Sequence, residues 1–202
     1  MTTIAILGTG HVARALAAKL PQTGHEVILG SRRPGPGTMS HADAAARAEL
    51  VVNAMPGAVS VAALTALAPQ LAGKVLVDVA NAVEVNEHGL AVSLLYPGSS
   101  LAEEIQRALP GVRVVKTLNT MHDSVMARPE LLAVPPSAFL SGDDAEARKA
   151  VAGLLADLGW PPEWVIDLGG VETARGVEAF MLMVGGLVRA LGPVPFGMTI
   201  AR

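Results

Sequence analysis

The stretch IAILGTGHVARALAAKL, Ile4 to Leu20, decides how the rest of the chain is read. An apolar run, Ile4 to Leu7, leads into Gly8-Thr9-Gly10, and then into an alanine-rich segment with helical spacing, His11 to Leu20. Strand, glycine turn and helix start, in that order, are the context in which a GxGxxG/A spacing has a mechanism. Gly8 permits the tight turn and Gly10 lets the backbone come close to a pyrophosphate. The helix start directs free N–H groups and the positive end of its dipole at that phosphate. The third position asks only for a small residue, and Ala13 satisfies it. A dinucleotide on Gly8, Thr9, Gly10, His11 and Val12 is the expectation; a glycine-rich turn that binds nothing is the plainer alternative.

Outward from this motif, short apolar strands alternate with helical patterns. Strands are expected at Ile4–Leu7, Glu26–Leu29, Leu50–Ala54, Val75–Val79, Val112–Lys116, Ala138–Leu140 and Val165–Asp167. Helices are expected at His11–Leu20, Ser40–Arg47, Ala58–Leu71, Leu101–Leu109 and Asp144–Leu158. Continuous apolar runs such as VVNAM and VLVDV suit strands covered on both faces. Alternating β and α then imply an α/β fold with a doubly wound, mostly parallel sheet. Between EVILG and ELVVNA the chain is short and begins RRPGPGTM, so the third edge strand is expected to be missing or vestigial. Residues 1–168 are read as the nucleotide domain, and 169–202 as a C-terminal helix and tail. In that helix Val177, Phe180, Met181, Val184, Leu187, Val188 and Leu191 recur at helical spacing, while Leu182 and Met183 widen the apolar surface. A helix apolar on more than one side is buried on more than one side, in its own subunit or in a dimer core. Met181 and Met183 fit such packing better than a cofactor contact.

The second strand selects the nucleotide. A site for NAD carries an acid about twenty residues beyond the glycines, on the ribose 2′-hydroxyl. Here the strand ends in Gly30-Ser31-Arg32-Arg33, and the one nearby acid, Glu26, sits at the other end of the strand. A hydroxyl and two guanidinium groups are what a 2′-phosphate requires. NADP(H) is therefore expected over NAD(H).

Composition narrows the classes. Of 202 residues, 51% are hydrophobic and 16% charged, enough for a sizeable core. Aromatics make up 3% and the net charge is −3, which argues against a nucleic-acid surface. The absence of cysteine removes thiolate catalysis, disulfides and Cys-ligated zinc. The uncharged run Ala179–Val188 is about half of what a membrane span needs, so a cytoplasmic protein with no membrane partner is expected. His25, His41 and His88 are isolated and show no metal-ligand spacing.

GTGHVARALAAKL, GHEVILGSRRP, DAAARAELVVNAMP and VVKTLNTM together resemble the NADPH-dependent deazaflavin (coenzyme F420) reductases and related dinucleotide-binding oxidoreductases. The resemblance implies a Rossmann-type fold, NADP(H) as cofactor, and F420 or a flavin as small-molecule redox partner; a homodimer is expected through the C-terminal helix. It implies pyrophosphate on Thr9, Gly10, His11 and Val12, and 2′-phosphate on Ser31, Arg32 and Arg33. Ala54, Met55 and Pro56 would lie along the adenosine and ribose side, and Asn81 and Val83 would border the nicotinamide. Asn119, Thr120, Met121 and His122 would face the hydride acceptor. Two departures stand out: the shortened stretch after Arg33, and Met121-His122 where the family's pattern carries a proline. A deazaflavin's acidic tail would suit a basic groove, yet Lys and Arg are scattered along the chain.

Direct hydride transfer between two ring cofactors needs positioning and exclusion of water, with no obligatory protein acid or base. Reduction of a small carbonyl or imine would need a proton donor, and His122 beside Asp123 is the candidate. The alternative for His122 is that it begins a helix capped by Asp123 or Ser124. Lys116 is a further candidate cation, as easily structural. An NADPH-binding sensor without catalysis is the non-enzymatic reading.

Overall fold

The computed structural model describes residues 1–134 and 136–201; Arg202, the last residue of the C-terminal segment, lies outside them. The elements run β1 (Thr3–Leu7), α1 (His11–Lys19), β2 (Glu26–Ser31), β3 (Met39–Ser40), α2 (His41–Arg47), β4 (Leu50–Asn53), α3 (Gly57–Thr65), α4 (Ala68–Leu71) and β5 (Val75–Asp78). They continue as β6 (Val83–Val85), β7 (Ala91–Leu94), α5 (Leu101–Ala108), β8 (Arg113–Lys116), α6 (Asp123–Met126), β9 (Ala138–Leu140), α7 (Ala145–Asp157), β10 (Val165–Asp167), α8 (Ala174–Ala179) and α9 (Met181–Leu191).

Six strands form one sheet in the order β3-β2-β1-β4-β5-β8, with every pairing parallel. This is the doubly wound arrangement of a Rossmann fold, and its order reverses between β1 and β4. Residues of one strand alternate between two cores: Ile4 and Ile6 join the cluster under α1 and α7, Ala5 and Leu7 the cluster under α2, α3 and α5. Both faces are covered, which is why these strands read as unbroken apolar runs.

The structure refines this reading in detail. The third edge strand is vestigial rather than missing: Met39 and Ser40 pair with Gly30 and Ser31, and two residues are all that the shortened connection can supply. The helix expected over Ala58–Leu71 is two helices, because Pro69 stands in the first turn of α4, where it has no N–H to extend a preceding helix. Val83–Val85 and Ala91–Leu94 form an antiparallel hairpin that the apolar pattern did not reveal. Its turn is organised by Asn86 Oδ1, which accepts from the His88 and Leu90 amides. The C-terminal helix divides at Phe180 into α8 and α9. In the single chain α9 is buried only on the side that packs on β7; Leu182, Met183 and Leu191 are 45%, 57% and 60% exposed. Among the described residues no helix is long and apolar enough to cross a membrane.

Beneath the carboxyl ends of β4, β5 and β8 lies a chain of buried polar groups. Lys116 Nζ, with no exposure, is 2.8 Å from Asp78 Oδ2 and 2.8 Å from Glu178 Oε1, and also donates to the Ala80 carbonyl. Asp78 Oδ1 accepts from Asn53 Nδ2 at 2.8 Å, and that amide also donates to Ser60 Oγ at 3.0 Å. Glu178, carried by α8, accepts the free Leu101 and Ala102 amides at the start of α5. Burial opposes the Lys116 charge, but the charges of Asp78 and Glu178 outweigh it and raise the ammonium's pKa above its ordinary value. That stabilisation is therefore complete at neutral pH and is lost only as pH rises through the folded-state value, in strong alkali. Lys116→Met should destabilise the fold by about 3–5 kcal/mol, because it strands two buried carboxylates. Chemical denaturation at pH 7 measures this, and a change under about 1 kcal/mol would show that the cluster does not hold the fold.

Candidate functional site

The order reversal between β1 and β4 opens a crevice at the strand carboxyl ends, and the glycine loop fills its floor. Gly8 has φ +135°, and a Cβ there would stand 2.5 Å from the Ala54 carbonyl oxygen. The close approach of the β1 and β4 ends thus demands glycine. Gly10 caps α1 without any side-chain hydrogen bond to the first turn, leaving those amides free of protein partners. A Cβ on Gly10 would meet no protein atom within 4 Å. An open space in front of unsatisfied helix-start amides is what a pyrophosphate fits.

Around this floor lies a cavity of about 1050 Å³. It brings together Gly8, Thr9, Gly10, His11, Val12, Ser31, Arg32, Arg33, Ala54, Met55, Pro56 and Asn81. Of the thirteen residues expected around the cofactor, Val83 alone does not line it; it lies on the β6 hairpin. Ser31 Oγ donates to the Arg33 carbonyl at 2.9 Å and accepts the Arg33 amide at 3.1 Å, so the hydroxyl folds the loop that carries both guanidiniums. Arg32 and Arg33 are exposed, and neither pairs with a carboxylate among the described residues. Among the described residues no Asp or Glu lines the cavity. The charge of the lining is therefore positive at the Arg32-Arg33 end.

The acceptor-side residues are placed differently. Leu118, at the end of β8, has φ +59°, a strained conformation for a branched residue, and it turns the chain abruptly. Asn119 is consequently buried: its Nδ2 donates to Asn81 Oδ1 and to the Val177 carbonyl, both at 3.0 Å, while Asn81 Nδ2 donates back to the Asn119 carbonyl at 3.2 Å. Asn81, at the cavity wall, is thereby held in a fixed orientation. Thr120 and Met121 are buried under the tail, where the Met198 amide donates to the Thr120 carbonyl at 3.0 Å and Met121 bridges Gly197. None of Asn119, Thr120, Met121 and His122 lines the cavity. His122 is exposed and is itself the N-cap of α6, its Nδ1 accepting the Ser124 amide at 3.3 Å. The same nitrogen is 2.9 Å from Asp123 Oδ1, and Asp123 Oδ2 is 3.6 Å from His11 Nδ1.

Several lining residues carry no signal that periodicity detects. Val59, Ala63, Ala66 and Leu67 form an apolar wall from α3 and the bend after it, and Met126 comes from α6. His41 stands alone in the sequence, yet the short connection after Arg33 returns it to the same cavity. Its spacing from Ser31 would have been the clue.

Sheet order and glycine loop define a Rossmann-type α/β protein with a cleft at the strand carboxyl ends. The profile of the family "NADP oxidoreductase coenzyme F420-dependent" matches residues 3–82. A crystal structure of a candidate F420-dependent NADP reductase from Arthrobacter sp. FB24 is 45% identical, with both chains covered over 100% and a TM-score of 0.92. The F420-dependent NADP reductase of Methanocaldococcus jannaschii is 26% identical over 209 residues, covering 91% of each chain. Rat metalloreductase STEAP3 is 33% identical over 193 residues; 89% of this chain matches 36% of that protein, so the chain spans little more than a third of the metalloreductase. This chain belongs to the family of coenzyme F420-dependent NADP oxidoreductases.

Gly8→Ala should lower NADPH affinity at least about tenfold, because the added methyl pushes the loop off the Ala54 carbonyl. Titration of protein fluorescence with NADPH measures it, with circular dichroism confirming that the variant is folded. An unchanged dissociation constant would remove the loop from the binding site.

Proposed function

We propose that the protein transfers hydride between NADP(H) and the deazaflavin coenzyme F420. The observation that carries this reading is the acid-free cleft, which has a glycine loop at its centre, Ser31, Arg32 and Arg33 at one end, and Asn81 at the other. In this reading the free amides of α1 bind pyrophosphate, the guanidiniums of Arg32 and Arg33 bind the 2′-phosphate, and α3 covers the adenosine. Residues 169–202 close the acceptor side. The bound cofactor supplies the hydride chemistry, NADPH and F420 with one proton giving NADP⁺ and reduced F420. What the protein contributes is position: Asn119 fixes Asn81, and the tail shields Thr120 and Met121 from water.

Two further features support this reading over a carbonyl or imine reductase. His122, the proton-donor candidate, does not line the cleft and caps a helix. The scattered basic residues also converge, since His11, Arg14, Lys19 and Arg128 line a second hollow of about 560 Å³ in which Asp123 is the one acid among the described residues. This hollow adjoins the first through His11 and suits the acidic tail of the deazaflavin.

Spectrophotometric assay of NADPH oxidation with F420, free flavin, a ferric chelate or a panel of carbonyls and imines tests the acceptor. Turnover is expected with F420, and Lys19→Glu/Arg128→Glu should raise the KM for F420 about tenfold with little change in NADPH affinity. Turnover confined to carbonyls and abolished by His122→Ala would overturn the proposal in favour of a reductase of small substrates. NADPH binding with no turnover on any acceptor would leave a sensor.

Dimerisation belongs to the same proposal, through the exposed apolar face of α9 with Val85 and Val92 of the adjoining hairpin. Analytical ultracentrifugation should show a dimer at micromolar concentration, and Leu182→Glu/Met183→Glu should convert it to monomer. A wild-type monomer at that concentration would refute this face as an interface.

A further inference from the structure

Beyond Ser31, Arg32 and Arg33, one more titratable group lines the same end of the cleft. His41 begins α2, immediately after the vestigial β3, and the short connection holds it against the end of β2. Gly30 makes room for it: a Cβ there would lie 2.8 Å from Leu7 Cδ2 and 3.1 Å from His41 Cδ2. The half-buried imidazole also hydrogen-bonds the Gly30 backbone. It thus sits on the strand end from which Ser31 and Arg32 project.

We propose that His41 is a further member of the 2′-phosphate site, taking up a proton from solvent as that phosphate binds and so making the preference for NADP(H) over NAD(H) depend on pH. This rests on the NADP(H) reading of the cleft.

The charges around His41 support the proposal. Arg32 lies close enough to repel a proton on the imidazole, and Arg33 lines the same cavity. On its own helix, Asp43 is engaged by Ser40 Oγ at 2.6 Å, while Arg47 stands in the last turn. Lys74 donates to the Ala45 carbonyl at 2.6 Å, toward the far end of α2. No carboxylate of the cavity lining faces the ring. Burial first, and then Arg32, hold the free imidazole below its ordinary pKa, with the Gly30 backbone bond opposing them. At neutral pH it is therefore uncharged before the nucleotide arrives. A 2′-phosphate carries a charge near −2 and accepts strong hydrogen bonds. Placed between Arg32 and His41, it neutralises the repulsion and favours imidazolium. Because the charged form is favoured only in the complex, affinity for NADPH is highest at low pH and falls as pH rises through the bound-state value. NADH shares the pyrophosphate, and with it any effect of His11, but lacks the 2′-phosphate.

Isothermal titration of the full chain with NADPH and with NADH, from about pH 6.5 to 8.5 in buffers of different ionisation enthalpy, tests this. That range stays above the phosphate's own titration near pH 6. NADPH binding should take up a substantial fraction of one proton, with affinity falling several-fold and at most about tenfold per pH unit. NADH binding should take up none from this end of the site. His41→Asn should abolish the extra uptake and flatten the NADPH profile, leaving NADH within about twofold of wild type. His41→Arg, a permanent cation, should bind NADPH tightly at every pH. Suppose NADPH is preferred, Arg32→Ala removes the preference, and His41→Asn keeps the wild-type proton uptake. The inference then fails while the NADP(H) reading stands. Equal wild-type affinity for NADPH and NADH would remove that reading and the inference together.

Discussion

A fully buried ammonium exists only where its surroundings return the energy of hydration it has lost, and the Lys116 site does this with two carboxylates and a carbonyl. The partners come from two separate parts of the chain: Asp78 and Ala80 lie at and just beyond the end of β5, and Glu178 arrives on α8. Glu178 also satisfies two free amides at the start of α5. Through Asn53 and Ser60 the same network reaches β4 and α3. The C-terminal segment is thus locked onto the sheet just below the floor of the cleft. Ala80 and Asn81 can form a rigid wall because their backbone is tied from beneath.

Above that floor the constraints are steric and electrostatic. The ends of β1 and β4 approach so closely that glycine alone fits at position 8, at the foot of the crevice that the order reversal opens. The α1 start has no side-chain cap, and among the described residues no acid lines the crevice. The strained Leu118 performs a related service at the end of β8. By turning the chain sharply it buries Asn119 against Asn81, which joins the segment after β8 to the cavity wall without placing the side chains of residues 119–122 in the cavity.

Most of the parallel sheet was legible because buried parallel strands declare themselves as unbroken apolar runs, and strand ends moved by only a residue or two. The hairpin Val83–Leu94 was not legible. Glu84, Asn86, Glu87 and His88 interrupt any apolar alternation, and its pairing depends on side-chain bonds within the turn. The site divides in the same way. The glycine loop and Ser31-Arg32-Arg33 are contiguous motifs with local mechanisms, so spacing alone exposed them. His41, Val59, Leu67 and Met126 reach the cavity from separate elements and have no shared period. Lys116 could be named as a cation, but whether it was catalytic or structural depended on partners 38 and 62 residues away.

By itself the sequence determined the α/β class, the glycine loop between β1 and α1, and the paired arginines that follow β2. All three follow from local patterns: strand burial, helix-start amides and adjacent cationic side chains. Tertiary structure decided what those patterns face. It turned Asn119, Thr120 and Met121 inward, exposed the outer face of α9, gathered scattered Arg14, Lys19 and Arg128 around one hollow, and returned His41 to the cavity beside Ser31 and Arg32. The physical reason is that burial and charge pairing depend on distance in space, which chain spacing encodes only within a single strand, turn or helix.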